Sequence, residues 1–178
     1  MAQRSLHLLG SPVLRQRSTE VAAVDDEVRG FIEDLFETMY AWKGVGLAAN
    51  QVGVARRVAV VDADGQKLAL VNPVILRGEG QATEEEGCLS IPDIFAEVSR
   101  PDQIVVEALD RDGRPFRIEA GGLLGRAIQH EIDHLDGVLF LDHLGPMKRK
   151  TLLARWKRER RGETSYIKDV QPAPARAD

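Results

Sequence analysis

Residues 121–137 carry the feature around which this chain must fold. Gly121-Gly122 opens a helical segment, residues 123–135, and Gly137 closes it. Leu124, Ile128 and Leu135 give that helix an apolar side, and His130-Glu131-Ile132-Asp133-His134 spells H-E-x-x-H within it. Residues four apart sit on one helix face a turn from each other, so two imidazoles can grip one metal ion. Glu131 is about 100° round the helix from His130, near enough to reach a water at that metal without being a ligand. A metal lowers the pKa of such a water from about 15.7 toward 7, and a carboxylate can then take its proton. The bland alternative is a solvated, charged helix face. The glycine boundaries and the apolar side favour a central helix that holds a metal.

Catalytic sites of this kind keep three protein ligands and one open position. In the pattern extended to H-E-x-x-H-x-x-G-x-x-H, Gly137 fits but Phe140 stands at the last place. Glu159 is at a plausible distance for a downstream acidic ligand, yet it sits in the solvated basic run Lys157-Arg158-Glu159-Arg160-Arg161. His143 reads as a surface or capping residue and His7 as unrelated. That leaves Cys88, in Glu86-Gly87-Cys88-Leu89-Ser90 ahead of Ile91-Pro92. The chain has one cysteine, so no internal disulfide claims it. A thiolate with two imidazoles suits zinc or ferrous iron.

Around this helix the chain reads as α+β, with antiparallel hairpins packed on the central helix and a further helix at the C-terminal end. Residues 25–43 form an amphipathic helix whose apolar stripe runs from Val28 and Phe31 to Met39 and Tyr40. Residues 44–53 read as a glycine-bounded loop. Residues 57–62 and 67–72 flank Asp64-Gly65, a hairpin signal, and Pro73 ends the second run before another at residues 74–77. Residues 104–110 and 116–119 make a second hairpin about Asp112-Gly113. A last helix spans residues 147–161, and the tail after Gly162 is expected to be disordered. The division is thus residues 1–147 as a catalytic unit and 148–178 as a basic helix with its tail.

Charge and hydropathy narrow the partners. No run of about 18 uncharged apolar residues is present, so no membrane span is expected. The apolar stretch within residues 1–12 is too short for a signal peptide, which makes the cytoplasm the expected location. The net charge of -4 argues against nucleic-acid binding by the whole surface, but residues 148–178 hold ten Lys or Arg and four Asp or Glu, which leaves -10 on residues 1–147. An acidic body with a basic tail points to an anionic partner for the tail.

Three stretches in order resemble the peptide deformylase family: Gly44-Val45-Gly46-Leu47-Ala48-Ala49-Asn50-Gln51, Glu86-Gly87-Cys88-Leu89-Ser90, and Gln129-His130-Glu131-Ile132-Asp133-His134. The likeness runs from about Ser11 to Met147 and is similar to the compact bacterial form. It implies hydrolysis of the formyl group from the N-terminal formyl-methionine of newly made polypeptides, releasing formate. By position, Cys88, His130 and His134 would bind one divalent metal, Fe2+ first, with Zn2+, Ni2+ or Co2+ able to substitute. Glu131 would be the general base and then acid, and the Gln51 amide and Leu89 N–H would steady the oxyanion. Gly46 would present its backbone to the substrate. Val45, Leu123 and Ala127 would line the methionine pocket, with Glu86 at its border. Family members commonly carry a cation a few positions after Ile91-Pro92, where this chain reads Asp93-Ile94-Phe95-Ala96. That departure puts the preference beyond methionine in doubt. In bacterial relatives the basic C-terminal helix can dock on the ribosome, and Lys148, Arg149, Lys150, Arg155, Lys157, Arg158, Arg160 and Arg161 would supply the phosphate contacts. Two rival readings stand beside this one: an H-E-x-x-H metallopeptidase that cuts peptide bonds, and a non-catalytic, metal-stabilised binding module. Glu131 and Gln51 speak against the second, since a structural site needs neither.

Overall fold

A computed structural model describes residues 2–169 of the chain. Strands β2 (Gly46–Ala48), β3 (Val58–Ala63), β4 (Gln66–Glu79), β7 (Gln103–Leu109) and β8 (Pro115–Gly121) form one antiparallel sheet in the order β2-β3-β4-β7-β8. β5 (Ala82–Cys88) and β6 (Ile91–Arg100) pair as a separate hairpin, and β1 (Leu6–His7) pairs with β9 (Ile167–Lys168). The helices are α1 (Asp26–Ala41), α2 (Gly122–Leu135) and α3 (Pro146–Glu159).

The five-stranded sheet is covered on both faces, which explains why β3 is buried almost without interruption. Val58 and Val60 meet the α1 stripe of Val28, Ile32, Leu35 and Met39, while Ala59 and Val61 face Leu124, Ile128 and Leu135 of α2. Burying each large apolar side chain contributes about 1.5–3 kcal/mol, so the two seams fix α1 and α2 on opposite faces of the sheet. The Asp25 side chain caps α1 by accepting from the Val28 N–H at 2.9 Å. Asp64, in the β3–β4 turn, accepts from the Leu124 N–H at 3.0 Å and so caps α2 from outside the helix. α3 packs through Trp156 into a third cluster with Ile91, Ile94 and Val98 of β6.

Several sequence expectations are corrected. Residues 44–53 are not a loop, since β2 and a 3-10 turn (Ala49–Val52) lie inside them. Pro73 does not end a strand. β4 runs through it at a bulge between Val71 and Val74, where Asn72 takes a left-handed conformation (φ 50°) and its side chain holds both backbone groups of Val21. The β5–β6 hairpin has no counterpart in the sequence reading, because Glu84-Glu85-Glu86 is a poor strand former. Residues 167–168 form β9, where a disordered tail was expected, and the remainder of that expectation falls on residues 170–178, outside the described residues. Among the described residues no helix is long and apolar enough to cross a membrane.

Candidate metal centre

α2 brings His130, Glu131 and His134 to its sheet-facing middle and last turn, all three buried. Cys88 arrives from the other side, as the last residue of β5, paired with Ile91 across the two-residue loop Leu89-Ser90. That loop is pinned twice: the Leu9 N–H donates to the Ser90 carbonyl (2.9 Å), and Gln51 Nε2 donates to Ser90 Oγ (3.0 Å). The thiol therefore comes to α2 on a braced turn.

The donor atoms of Cys88, His130 and His134 lie within 4.8 Å of one another. The two imidazole Nε2 atoms are 3.1 Å apart, and Cys88 Sγ is 3.3 Å from His134 Nε2. Ligands at about 2.0–2.3 Å from a tetrahedral ion stand about 3.3–3.6 Å from each other, so this set fits one first-row ion. One thiolate and two imidazoles are also the donors that zinc and ferrous iron accept.

His130 is oriented for that role by Glu86. Its Nδ1 donates to Glu86 Oε1 at 2.9 Å, which turns Nε2 toward Cys88 and His134. Glu86 can only accept, because it is ionised. Burial alone would raise its carboxyl, but the hydrogen bonds from His130 and Arg100 and the Arg100 charge hold it well below the usual carboxylate range. Arg100 reaches Glu86 through Nε (2.6 Å) and Nη2 (2.9 Å), and Arg126 Nη1 adds a contact at 2.6 Å. Arg100 Nη1 continues to Asp133 Oδ2 (2.8 Å), which also meets His143 Nε2 (2.8 Å). His130 itself is pushed down by burial but raised on balance by its hydrogen bonds with Cys88 and Glu86. A positive charge is thus favoured where these groups converge.

Glu131 stands beside the three donors without sharing their contacts. Its Oε2 is buried and has no hydrogen-bond partner among the described residues. Burial, opposed by the charges of His130 and Arg100, pushes its carboxyl up to about 7. A carboxylate so placed exchanges protons near neutral pH. Gly46 makes room for it: a Cβ on Gly46 would sit 2.5 Å from Glu131 Oε1. This contact is made from the same face of β2 as Ala48, which packs against α2.

One cleft of about 500 Å³ is lined by Val45, Gly46, Gln51, Glu86, Cys88, Leu89, Leu123, Ala127, His130 and Glu131, and His134 is buried beside His130 and Cys88. The residues singled out in the sequence thus come together around one cleft. Glu86 borders the cleft, but its carboxylate is engaged by His130, Arg100 and Arg126. Gln51 lies with its Nε2 3.7 Å from Cys88 Sγ while its Oε1 accepts from the Ala48 N–H at 2.9 Å. Sequence reasoning missed Arg100, Arg126 and Asn50, whose Nδ2 donates to the His134 carbonyl at 2.5 Å. Arg100 had a signal: it continues the inward alternation of Ala96 and Val98, and a charge at such a position needs a buried partner.

A family model described as polypeptide deformylase matches residues 4–150. A peptide deformylase of Alkalilimnicola ehrlichii is 50% identical over 156 residues, covering 85% of this chain and 88% of that one. The crystal structure of a peptide deformylase from Legionella pneumophila superposes with a TM-score of 0.85 at 41% identity, over 90% of this chain and 96% of that one. The enzyme of Ehrlichia chaffeensis, solved in complex with actinonin, gives a TM-score of 0.85 at 37% identity, over 90% and 99% of the two chains.

Proposed function

This chain belongs to the peptide deformylase family, and on that premise we propose that Cys88, His130 and His134 hold its metal while Glu131 carries the proton. The protein is a metal-dependent hydrolase that removes the formyl group from the N-terminal formyl-methionine of polypeptides. The observation that carries this reading is the convergence of three metal donors within 4.8 Å beside a buried carboxylate, Glu131, whose Oε2 has no hydrogen-bond partner among the described residues and which lines the same cleft.

The reaction adds water across the formamide C–N bond, giving formate and a free amine. A divalent metal held by Cys88, His130 and His134 would supply Lewis-acid polarisation and would acidify water toward neutral pH. Glu131 takes one proton from the attacking water and returns it to the departing nitrogen, its carboxyl poised near 7 for both transfers. Gln51 and Leu89 line the same cleft, and the Gln51 amide and Leu89 N–H are assigned to steady the charge that develops on the formyl oxygen. Loss of one donor of this kind costs about 10²- to 10³-fold in rate. Val45, Leu123 and Ala127 enclose the methionine side chain, and Glu86 keeps His130 aimed. Formate release from formyl-Met-Ala-Ser, set against acetyl-Met-Ala-Ser, tests the reaction. Release from the formyl peptide alone supports it, and equal cleavage of both, or cleavage of internal peptide bonds, contradicts it.

Ferrous iron is the metal we assign, with zinc, nickel or cobalt able to replace it, because the mixed thiolate and imidazole set suits these ions. A thiolate beside iron is open to oxidation. Iron-loaded protein should lose activity in air faster than nickel-loaded protein, and equal lifetimes contradict the assignment. We place the enzyme in the cytoplasm and keep the catalytic machinery within residues 1–147. The basic helix α3 then serves to dock on the ribosome. Arg149 is paired with Asp142 and Arg155 with Glu159, while Lys148, Lys150, Lys157 and Arg158 face solvent. Reversing those four charges should weaken ribosome binding and spare activity on short peptides. Unchanged affinity would end this proposal.

A further inference from the structure

Beyond α3 the chain turns back across the molecule and reaches the catalytic cleft. Tyr166 lies against Gly10, where a side chain would collide with its ring, and its carbonyl accepts from the Leu8 N–H at 2.7 Å. β9 follows, with Lys168 opposite Leu6 and Ile167 opposite His7. Ser5 Oγ then donates to Asp169 Oδ1 at 2.6 Å. This strap sets Lys168 on the rim of the cleft, next to Trp42 and Lys43 at the end of α1. The Lys168 ammonium lies 4.9 Å from the centroid of the Trp42 ring, which restrains the side chain beside another lining residue of the cleft.

The cleft lining carries exposed charges of both signs. On the β5–β6 side the cleft is bordered by Glu85 and Asp93, both exposed. The lining also includes Lys43 and Lys168, and the ion pairs among the described residues include neither. The other cation of the cleft, Arg126, is taken by Glu86. Two unmatched ammonium groups at the mouth of a peptide-binding cleft attract a carboxylate. Lys168 also lies outside residues 4–150, the stretch that the family model matches.

We propose that Lys168, with Lys43 beside it, is a specificity-determining residue that binds a carboxylate of the peptide downstream of its formyl-methionine. That carboxylate is an acidic side chain or, in a short peptide, the C-terminal group. The proposal rests on the deformylase reading above. It makes the strap after α3 part of the substrate site and gives this cleft a preference that the catalytic residues do not encode.

The test is steady-state formate release by metal-loaded wild type, Lys168→Gln and Lys168→Glu. One pair of substrates is formyl-Met-Ala-Glu-amide and formyl-Met-Ala-Gln-amide, and the other is formyl-Met-Ala-Ser as free acid and as amide. The wild type should show a KM about two- to five-fold lower for the acidic member of a pair, the range open to an exposed ion pair. Lys168→Gln should remove that preference and Lys168→Glu should reverse it, with kcat on the neutral amides unchanged. Preference in the first pair alone identifies the side chain as the source, and in the second alone the chain end. In the wild type the preference should also fade as salt is raised, which needs no variant to fold. Equal KM within both pairs, or a preference untouched in Lys168→Glu and by salt, overturns the proposal. If the wild type released no formate from any peptide, the deformylase reading would fall instead. Calorimetric binding of Met-Ala-Glu-amide against Met-Ala-Gln-amide would then decide the rim assignment by itself.

Discussion

Glu131 owes its chemistry to what its neighbours lack. Gly46 has no side chain to displace it, and its Oε2 has no hydrogen-bond partner among the described residues to hold its proton in one place. Gly46→Ala puts a methyl group where a Cβ would stand 2.5 Å from Glu131 Oε1. The carboxylate must then move, and a displacement of about 1 Å in a reacting group costs about 10²-fold in rate. We expect kcat to fall by about that factor with metal content unchanged. A Gly46→Ala enzyme with full kcat would show that the carboxylate tolerates the shift. The same burial sets a pH dependence. Glu131 must be ionised to accept a proton, and its carboxyl is raised to about 7 by burial. A nearby metal charge opposes that rise. The acid limb of kcat/KM should therefore fall at or somewhat below neutral pH, and a profile flat down to pH 4 would contradict the role given to Glu131.

At the scale of elements, the β5–β6 hairpin does more than deliver Cys88. It carries both Glu86 and Arg100, so one hairpin supplies a metal donor and the pair that aims His130. The Glu86 and Arg100 side chains are 5% and 4% exposed, so removing one leaves the other charged and buried. Arg100→Leu should destabilise the protein by about 3–5 kcal/mol in chemical denaturation. It should also weaken metal binding by about 10- to 100-fold, the usual effect of losing an outer partner of a ligand. A stable variant with full metal affinity would contradict this view of the hairpin. Glu86 also sets the acid limit of the fold. Its folded-state carboxyl is held well below the ordinary range, whereas in the unfolded chain a glutamate titrates near about 4.3. Its contribution is complete above that value and is lost as pH falls toward the folded-state value. Stability should therefore drop below about pH 4 in the wild type, and less steeply in Glu86→Gln, as thermal melts across that range can show. This network was hidden from the sequence because its members lie on different elements. His130 and His134 declare themselves by a spacing of four on one helix, but nothing local ties Arg100 to Glu86.

For the whole molecule, the same contrast divides what could be read from what could not. Helices α1 and α2 announce themselves by apolar period and by their boundaries, and the Asp64-Gly65 and Asp112-Gly113 turns mark two hairpins. Cys88 could be joined to the two histidines because few other donors were available. Pro73 misled because a bulge absorbs a residue without an N–H, and β9 was invisible because its pairing with β1 closes a loop of nearly the full chain. That closure carries Lys168 to the cleft, so the site draws on both ends of the sequence. The central claim remains that three side chains hold a metal which one carboxylate makes productive. The most direct measurement is formate release from formyl-Met-Ala-Ser by anaerobically prepared wild type and Glu131→Gln, with metal content determined on the same samples. The account predicts one metal ion per chain in both proteins and turnover in the wild type alone. Comparable turnover in Glu131→Gln with its metal retained would contradict it.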